Sequence, residues 1–196
     1  MSYIIVGLGN PGEEYKKTRH NAGRMALEYF CKTEKFPEWE HNKKLNALVS
    51  EGKIQKERVM LLLPETFMNK SGGSVKSLVK NKKQASRLVV VHDDLDMPIG
   101  SLKISFNRGS AGHRGIESIK RAIKTEAFVR VRIGISPASF SGKLKKPHGE
   151  SDVNNFILGT FKPKEQELLK RVIKRVADII KTIVSEGMAR AMNEYN

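Results

Sequence analysis

Apolar and polar positions follow two rhythms along this chain, and the changes between them divide it into strands and helices. Tyr3-Ile4-Ile5-Val6 is a continuous, mostly β-branched run closed by Gly7, the pattern of a short strand covered on both faces. From Arg19 the spacing turns helical, with Ala22, Met25, Ala26, Tyr29 and Phe30 on one face and Thr18 as N-cap. Thr33 to Asn46 is polar, holds the single tryptophan, Trp39, and reads as a surface connection. Ala47 to Ile54 and Arg58 to Leu63 are strand-like, with Glu51-Gly52-Lys53 or Gln55-Lys56-Glu57 as the turn between them and Pro64 stopping the second. A helix is predicted over 71–82, with Val75, Leu78 and Val79 inward. Leu88 to Val91 is a buried strand that runs into His92-Asp93-Asp94-Leu95-Asp96. Residues 101–107 form a further strand, and a flexible turn over 109–115 leads into a helix over 116–124. Phe128 to Ile135 alternates as a strand, which puts Arg130 and Arg132 on one face. Pro137 to Gly149 has no apolar period and is predicted to be a mobile surface loop. From Pro163 to Glu186, Leu168, Leu169, Val172, Ile173, Val176, Ile179, Ile180 and Ile183 make one long helical stripe that serves packing. Strands interleaved with helices predict an α/β fold.

Length and charge narrow the class. The 196 residues fit one domain, residues 1–196, large enough to bury a core without disulfides or metals. Cys31 is the only cysteine and has no C-x-x-C partner, so disulfide scaffolds and thiol redox motifs are excluded. No apolar segment approaches the roughly 20 residues of a membrane span, and the N-terminus runs straight into a strand, which points to a cytoplasmic protein. The net charge is +15, and it is uneven: residues 101–149 hold eleven Lys or Arg against two acids, Glu117 and Glu126. Lysines taken singly keep a surface wet. A block this asymmetric points to a polyanion, with nucleic acid the expected partner.

The candidate chemistry lies where the strands end. Asn10 follows the first strand and precedes Pro11-Gly12, so a polar amide is held on a stiff turn. His20 is predicted in the first turn of a helix, where the dipole disfavours imidazolium and leaves a ring able to accept a proton. Asp93 ends another buried strand, and an Asp to His pair would fix the tautomer of His20 and stabilise the imidazolium formed in reaction. Read singly, Asn10 is a turn residue and His20 a helix-end residue. Gly7, Gly9 and Gly12 spell G-x-G-x-x-G, but a Glu-Glu-Tyr-Lys-Lys loop intervenes before the helix, and residues 28–34 look helical where an acid-tipped strand is required. Asp93, Asp94 and Asp96 suggest a metal, yet no H-x-x-x-H spacing accompanies them, and Asp94 or Asp96 suits a turn before Pro98. Phe67-Met68 either joins the core or forms an apolar platform, with Asn69 beside it as a two-way hydrogen-bonding group. Arg114 adds a fixed charge where backbone amides at a helix start favour an anion. Lys143, Lys145 and Lys146 suit a phosphate backbone.

Four stretches together resemble the bacterial-type peptidyl-tRNA hydrolase family: Gly7-Leu8-Gly9-Asn10-Pro11-Gly12 with Tyr15 and Thr18-Arg19-His20-Asn21; Thr66-Phe67-Met68-Asn69 with Ser71-Gly72; His92-Asp93-Asp94-Leu95-Asp96; and Gly112-His113 with Gly115. Phe156-Ile157-Leu158-Gly159 resembles that family's late strand. The resemblance implies one domain with a central mixed β-sheet flanked by helices, and hydrolysis of the ester joining a peptide to the 3′ end of tRNA, with the acceptor stem and 3′ end as partner and neither cofactor nor metal; a monomer is expected. It implies His20 as general base, Asp93 as its orienting carboxylate, and Asn10 and Asn69 as groups that bind substrate and organise the reacting atoms. Tyr15, Phe67 and Met68 match residues lining the peptide end of the cleft, His113 and Arg114 fall in a loop that positions substrate, and Lys103 and Arg132 fall near the acceptor stem. Two positions depart from the pattern: Arg114 stands where Asn is usual, and Ser105 where many members carry a second basic residue. A different class of function, a tRNA-binding or structured-RNA-binding protein without turnover on the same scaffold, is the alternative that Arg114 motivates.

Overall fold

The computed structural model describes residues 2–139 and 143–196. Its centre is a seven-stranded mixed sheet in the order β2-β3-β4-β1-β5-β7-β6. The strands are β1 (Tyr3–Gly7), β2 (Glu40–Asn42), β3 (Ala47–Ile54), β4 (Glu57–Pro64), β5 (Leu88–Pro98), β6 (Leu102–Phe106) and β7 (Val129–Ser136). β1 runs parallel to both β4 and β5, and β5 parallel to β7. The remaining pairs, at the two flanks, are antiparallel.

Two apolar layers cover the sheet. On one face the helices α1 (Ala22–Thr33), α6 (Pro163–Ser185) and α7 (Met188–Tyr195) bury Leu27, Phe30, Val176 and Ile180 against Ile5, Leu61, Val89 and Val131. On the other, α2 (Gly72–Lys76), α3 (Lys82–Ala85) and α4 (Arg114–Ile123) bury Val75, Ile116 and Ile119 against Val6, Leu62 and Val90. Successive residues of β1, β4 and β5 thus serve opposite layers, which explains their unbroken apolar runs. The turn between β3 and β4 uses Gln55, which takes a left-handed φ of 51°.

Several boundaries differ from the pattern-based expectation. The predicted helix over 71–82 is two short pieces, α2 and α3. Asn81 is extended and its side chain accepts the Gln84 amide, so it caps a new helix instead of continuing the old one. Thr18 does not cap α1: its hydroxyl donates back to the Tyr15 carbonyl, and a single 3₁₀ turn over Arg19–Asn21 precedes the α-helix. His20 therefore lies ahead of α1 rather than in its first turn. The connection before β3 contains an edge strand, β2, and Trp39 packs against the core. Phe156-Ile157-Leu158 ends a helix, α5 (Glu150–Leu158), and is not a strand. Phe156 is held there by Arg19, whose guanidinium sits 4.3 Å from its ring centroid. Residues 140–142 of the predicted surface loop lie outside the described residues; of the rest, Ala138 and Leu144 form an isolated bridge.

α1 crosses the sheet at close range because glycines face each other there. A Cβ on Gly7 would sit 2.8 Å from the Gly23 carbonyl oxygen, and one on Gly23 would sit 2.1 Å from the Val91 carbonyl oxygen. Those neighbours are backbone atoms of α1 and β5, so neither can swing aside. Gly23→Ala is expected to lower the unfolding free energy by about 3 kcal/mol, measured by urea denaturation. A loss under about 0.5 kcal/mol would mean that the crossing is looser than the backbone separation requires.

Candidate active site

β1 and β5 are neighbours from which the chain leaves in opposite directions across the sheet, and their carboxyl ends open one crevice. The glycine pattern after β1 serves this crossing. A Cβ on Gly9 would meet Arg24 Cβ at 2.8 Å and Asn21 Cγ at 2.9 Å, so the glycines admit α1 instead of cradling a pyrophosphate.

Asn10 is fixed from two sides. Its backbone N–H donates to Asn21 Oδ1 at 2.8 Å, and Asn21 Nδ2 donates back to the Asn10 carbonyl at 2.9 Å. Its own Oδ1 accepts the Met68 amide at 2.8 Å, which ties the β1 end to the segment after β4. That orientation leaves Nδ2, with two hydrogens, as the group free to donate. Arg24 braces the same junction, donating to the Pro64 carbonyl and to Glu65.

His20 and Asp93, 73 positions apart in the chain, are in contact. Nδ1 of His20 lies 2.9 and 3.1 Å from the two carboxylate oxygens, and both side chains are buried. A carboxylate can only accept, so Nδ1 carries the proton and Nε2 keeps its lone pair. A second imidazole shares the acid: His113 Nε2 lies 2.8 Å from Asp93 Oδ1. A third, His92, places Nδ1 2.6 Å from the Asp93 carbonyl oxygen. Burial pushes the Asp93 carboxyl up, but the two imidazoles and the hydrogen bonds they donate outweigh it and hold the group well below the usual carboxylate range. Burial, and then the neighbouring His113, hold His92 well below the ordinary imidazole value, so that ring is neutral. Its Nε2 is buried without a partner.

His20, Asp93 and His113 offer ligand atoms within 4.8 Å of one another, close enough for a metal ion. The proton inventory favours a different use. His113 Nδ1 accepts the amides of Gly115 and Ile116 at 3.1 and 3.3 Å, so Nε2 must hold the ring proton and has no lone pair for a metal. The cluster is a hydrogen-bonded His-Asp-His array.

A cavity of about 580 Å³ opens over this array. Its walls come from Asp94 to Asp96, from Ser110 to Arg114, and from Lys146 to Asn154 with Ile157. α5 forms the outer wall and is docked by Arg19, whose guanidinium pairs with Glu165 at 2.8 Å and lies over Phe156. The residue next to His20 therefore sets where that wall stands.

The other expected site residues are distributed unequally. Phe67-Met68 divides between its two readings: Met68 is buried beneath the start of α4, whereas Phe67 is 58% exposed and meets Tyr15 edge-on at 6.4 Å. Asn69 is exposed and lines a separate depression with Ser110, Gly112 and Arg114, not the cavity over His20. His113 faces the cavity, but both its ring nitrogens are taken within the protein. Arg114 pairs with Glu150 at 2.6 Å across the cavity mouth. Lys103 is exposed and carries no ion pair among the described residues, and Arg132, its partner in register on β7, donates to Asp94 at 2.6 Å. Lys143 and Lys145 are exposed, and Lys146 pairs with Asp96 at 2.8 Å. Asn21 and His92, to which sequence alone attached no role, prove to hold Asn10 and Asp93. The one signal was that a polar residue adjoins each candidate.

The model of the family described as peptidyl-tRNA hydrolase matches residues 4–196. A peptidyl-tRNA hydrolase of Chloroflexus aggregans is 41% identical over 197 residues, covering 99% of this chain and 98% of its own length. One of Geotalea uraniireducens is 39% identical over 194 residues, covering 98% and 95%. The crystal structure of peptidyl-tRNA hydrolase from Acinetobacter baumannii superposes with a TM-score of 0.87 at 34% identity, covering all of this chain and 94% of that one.

The neutral state of His92 makes folding pH-dependent. Below its ordinary value of 6.5 the unfolded chain takes up a proton there that the folded chain refuses. Stability is therefore undiminished above 6.5 and falls as pH drops from there toward the lower folded value. Asp93, also depressed, acts in the same direction only below its ordinary 3.8. Between pH 6.5 and 5 the unfolding free energy should fall by up to about 1.4 kcal/mol per pH unit on account of His92. His92→Asn, whose amide can replace the Nδ1 donor, should flatten that slope in urea titrations. An unchanged slope would show that His92 is protonated in the folded state.

Proposed function

The chain belongs to the peptidyl-tRNA hydrolase family, and we propose that it cleaves peptidyl-tRNA with His20 as general base and Asp93 as its orienting acid. The observation that carries this reading is the pairing of His20 Nδ1 with the buried Asp93 carboxylate, which leaves Nε2 as a base at the floor of the cavity.

The substrate is an ester between the peptide carboxyl and the terminal ribose. Nε2 of His20 takes a proton from water as the water oxygen bonds to the ester carbonyl carbon, and Asp93 stabilises the imidazolium that forms. The Nδ2 hydrogens of Asn10 donate to the oxygen that gains charge, a contribution worth about 3 kcal/mol in comparable sites. Collapse of the tetrahedral species breaks the bond from acyl carbon to ribose oxygen, and the proton held by His20 passes to that oxygen. Free peptide acid and tRNA leave. A neutral imidazole suffices for an ester, so the reaction requires no metal and no acyl-enzyme.

Tyr15 and the exposed Phe67 form an aromatic rim suited to peptide side chains. On the other flank the basic block meets the acceptor stem through sugar and phosphate contacts, with Lys103, Lys143 and Lys145, which form no ion pair among the described residues, contributing charge. Among the described residues no helix is long and apolar enough to cross a membrane. The protein acts as a cytoplasmic monomer that recycles tRNA from abandoned translation products. The array of His20, Asp93 and Asn10 supports turnover over RNA binding alone.

His20→Ala should lower kcat for release of peptide from a defined peptidyl-tRNA by about 10² to 10⁴, with KM little changed. Turnover near that of the parent would remove His20 from the mechanism. Lys103→Ala should raise KM more than it lowers kcat, and reduce the slope of log KM against log salt by about 0.9. An unchanged slope would place the RNA elsewhere.

A further inference from the structure

His113 uses both of its ring nitrogens inside the protein. Nε2 meets Asp93 Oδ1 at 2.8 Å, and Nδ1 accepts the Gly115 and Ile116 amides that open α4. Its side chain is only 8% exposed, and the ring lies 5.0 Å from that of His20 and 4.7 Å from that of His92.

We propose that His113 is a positioning residue for the hydrolysis, locked by the start of α4 as the neutral Nε2–H tautomer, in which it holds one oxygen of Asp93 and so limits how firmly that acid holds a proton on His20. The inference rests on the reading of His20 as base and deepens it.

The lock follows from donor and acceptor counting. A backbone N–H can only donate, and two of them converge on Nδ1, so Nδ1 must present a lone pair. In a neutral ring the proton then sits on Nε2, where the Asp93 carboxylate accepts it. A proton added at Nδ1 would face two N–H donors and undo the cap of α4. His113 therefore acts neither as a second base nor as a substrate ligand through nitrogen.

The consequence for His20 follows from sharing. The charge of one carboxylate is divided between two N–H donors, and each hydrogen bond accepted weakens its hold on the other partner. Remove the bond from His113, and Asp93 stabilises the His20 imidazolium more strongly. His92 on β5 is neutral and bonded to the Asp93 carbonyl, Asp94 is matched by Arg132 of β7, Arg114 of α4 by Glu150 of α5, and Lys146 by Asp96, while His148 lines the same cavity. Among the described residues none of these bonds to either carboxylate oxygen of Asp93, so sharing between the two imidazoles governs the base.

His113→Asn separates the two bonds. The Asn oxygen can still accept the α4 amides, as N-cap residues do, but its side chain is too short to reach Asp93. Because it gives up one donor to a buried carboxylate but keeps the cap of α4, this variant should melt below the parent, and His113→Ala, which loses both bonds, lower still. In the Asn variant the acid limb of kcat/KM should move up by about 0.5–1 pH unit, with KM unchanged. Nitrogen-15 NMR of the unliganded protein should find the His113 proton on Nε2 throughout the pH range in which His20 titrates, and the His20 titration itself moved upward in the Asn variant. An Nδ1 proton on His113, or an acid limb that stays in place while KM rises, would overturn the proposal. The NMR titration involves no turnover, so it stands or falls separately from the role of His20 as base.

Discussion

A buried carboxylate is among the costliest groups to place in a protein interior, and the organisation of this site follows from placing Asp93 there. Removal of its charge from water is repaid only by donors held at short range. His20 and His113 supply two from elements that have no other reason to meet, a turn before α1 and the cap of α4. His92 adds a bond to the carbonyl of the same residue. One acid therefore holds together the end of β5, the approach to α1 and the start of α4. Loss of that acid would leave two imidazoles facing an empty acceptor site, so its structural and chemical duties cannot be separated by a single deletion.

The amide side of the site is built on the same logic with neutral groups. Asn21 pairs with both backbone groups of Asn10, and the Met68 amide occupies Asn10 Oδ1. Every acceptor on Asn10 is thereby committed, and the uncommitted atoms are donors. Such an arrangement offers hydrogen bonds to developing negative charge without a change of geometry in reaction, which is what electrostatic preorganisation requires. It also ties together the three segments that carry Asn10, Asn21 and Met68.

Much of this was readable from the sequence where a local rule decided the outcome. The apolar runs of β1, β4 and β5 and the stripe of α6, apart from the exposed Leu168, announce burial through their periods, and Asn10 just past β1 follows from the parallel sheet, whereas Asp93 lies within β5, which continues to Pro98 beyond a shift of register after Asp94. What could not be read depends on partners distant in the chain. Phe156-Ile157-Leu158 is apolar enough for a strand, yet it ends α5 beyond the sheet, with Phe156 against Arg19. Asn69 adjoins Met68, yet Met68 turns into the core and Asn69 out to a neighbouring depression, a difference that no pattern of two residues encodes. Asn21 lies next to His20 in the sequence but serves Asn10, a relation that appears only when the 3₁₀ turn folds back on the β1 end.

The charge of the cleft illustrates the same gap between counting and placement. Residues 101–149 carry a large excess of Lys and Arg, but Arg132, Arg114 and Lys146 are each matched by an acid at the cavity rim, namely Asp94, Glu150 and Asp96. The first pair is largely buried and fixes β7 against β5, whereas the other two are exposed and contribute little to stability. Their effect is on distribution: they remove net charge from the mouth of the cavity and leave it on Lys103, Lys143 and Lys145 around it. On the proposed reading a polyanion would be drawn to the flank of the cleft, while among the described residues no Lys or Arg stands beside His20 and Asn10 uncommitted to hold a phosphate there. If His20 is the base, pairing each rim cation with a local acid separates steering from chemistry in space: the long-range field of the protein is positive, while the groups around His20 are one carboxylate and two further imidazoles.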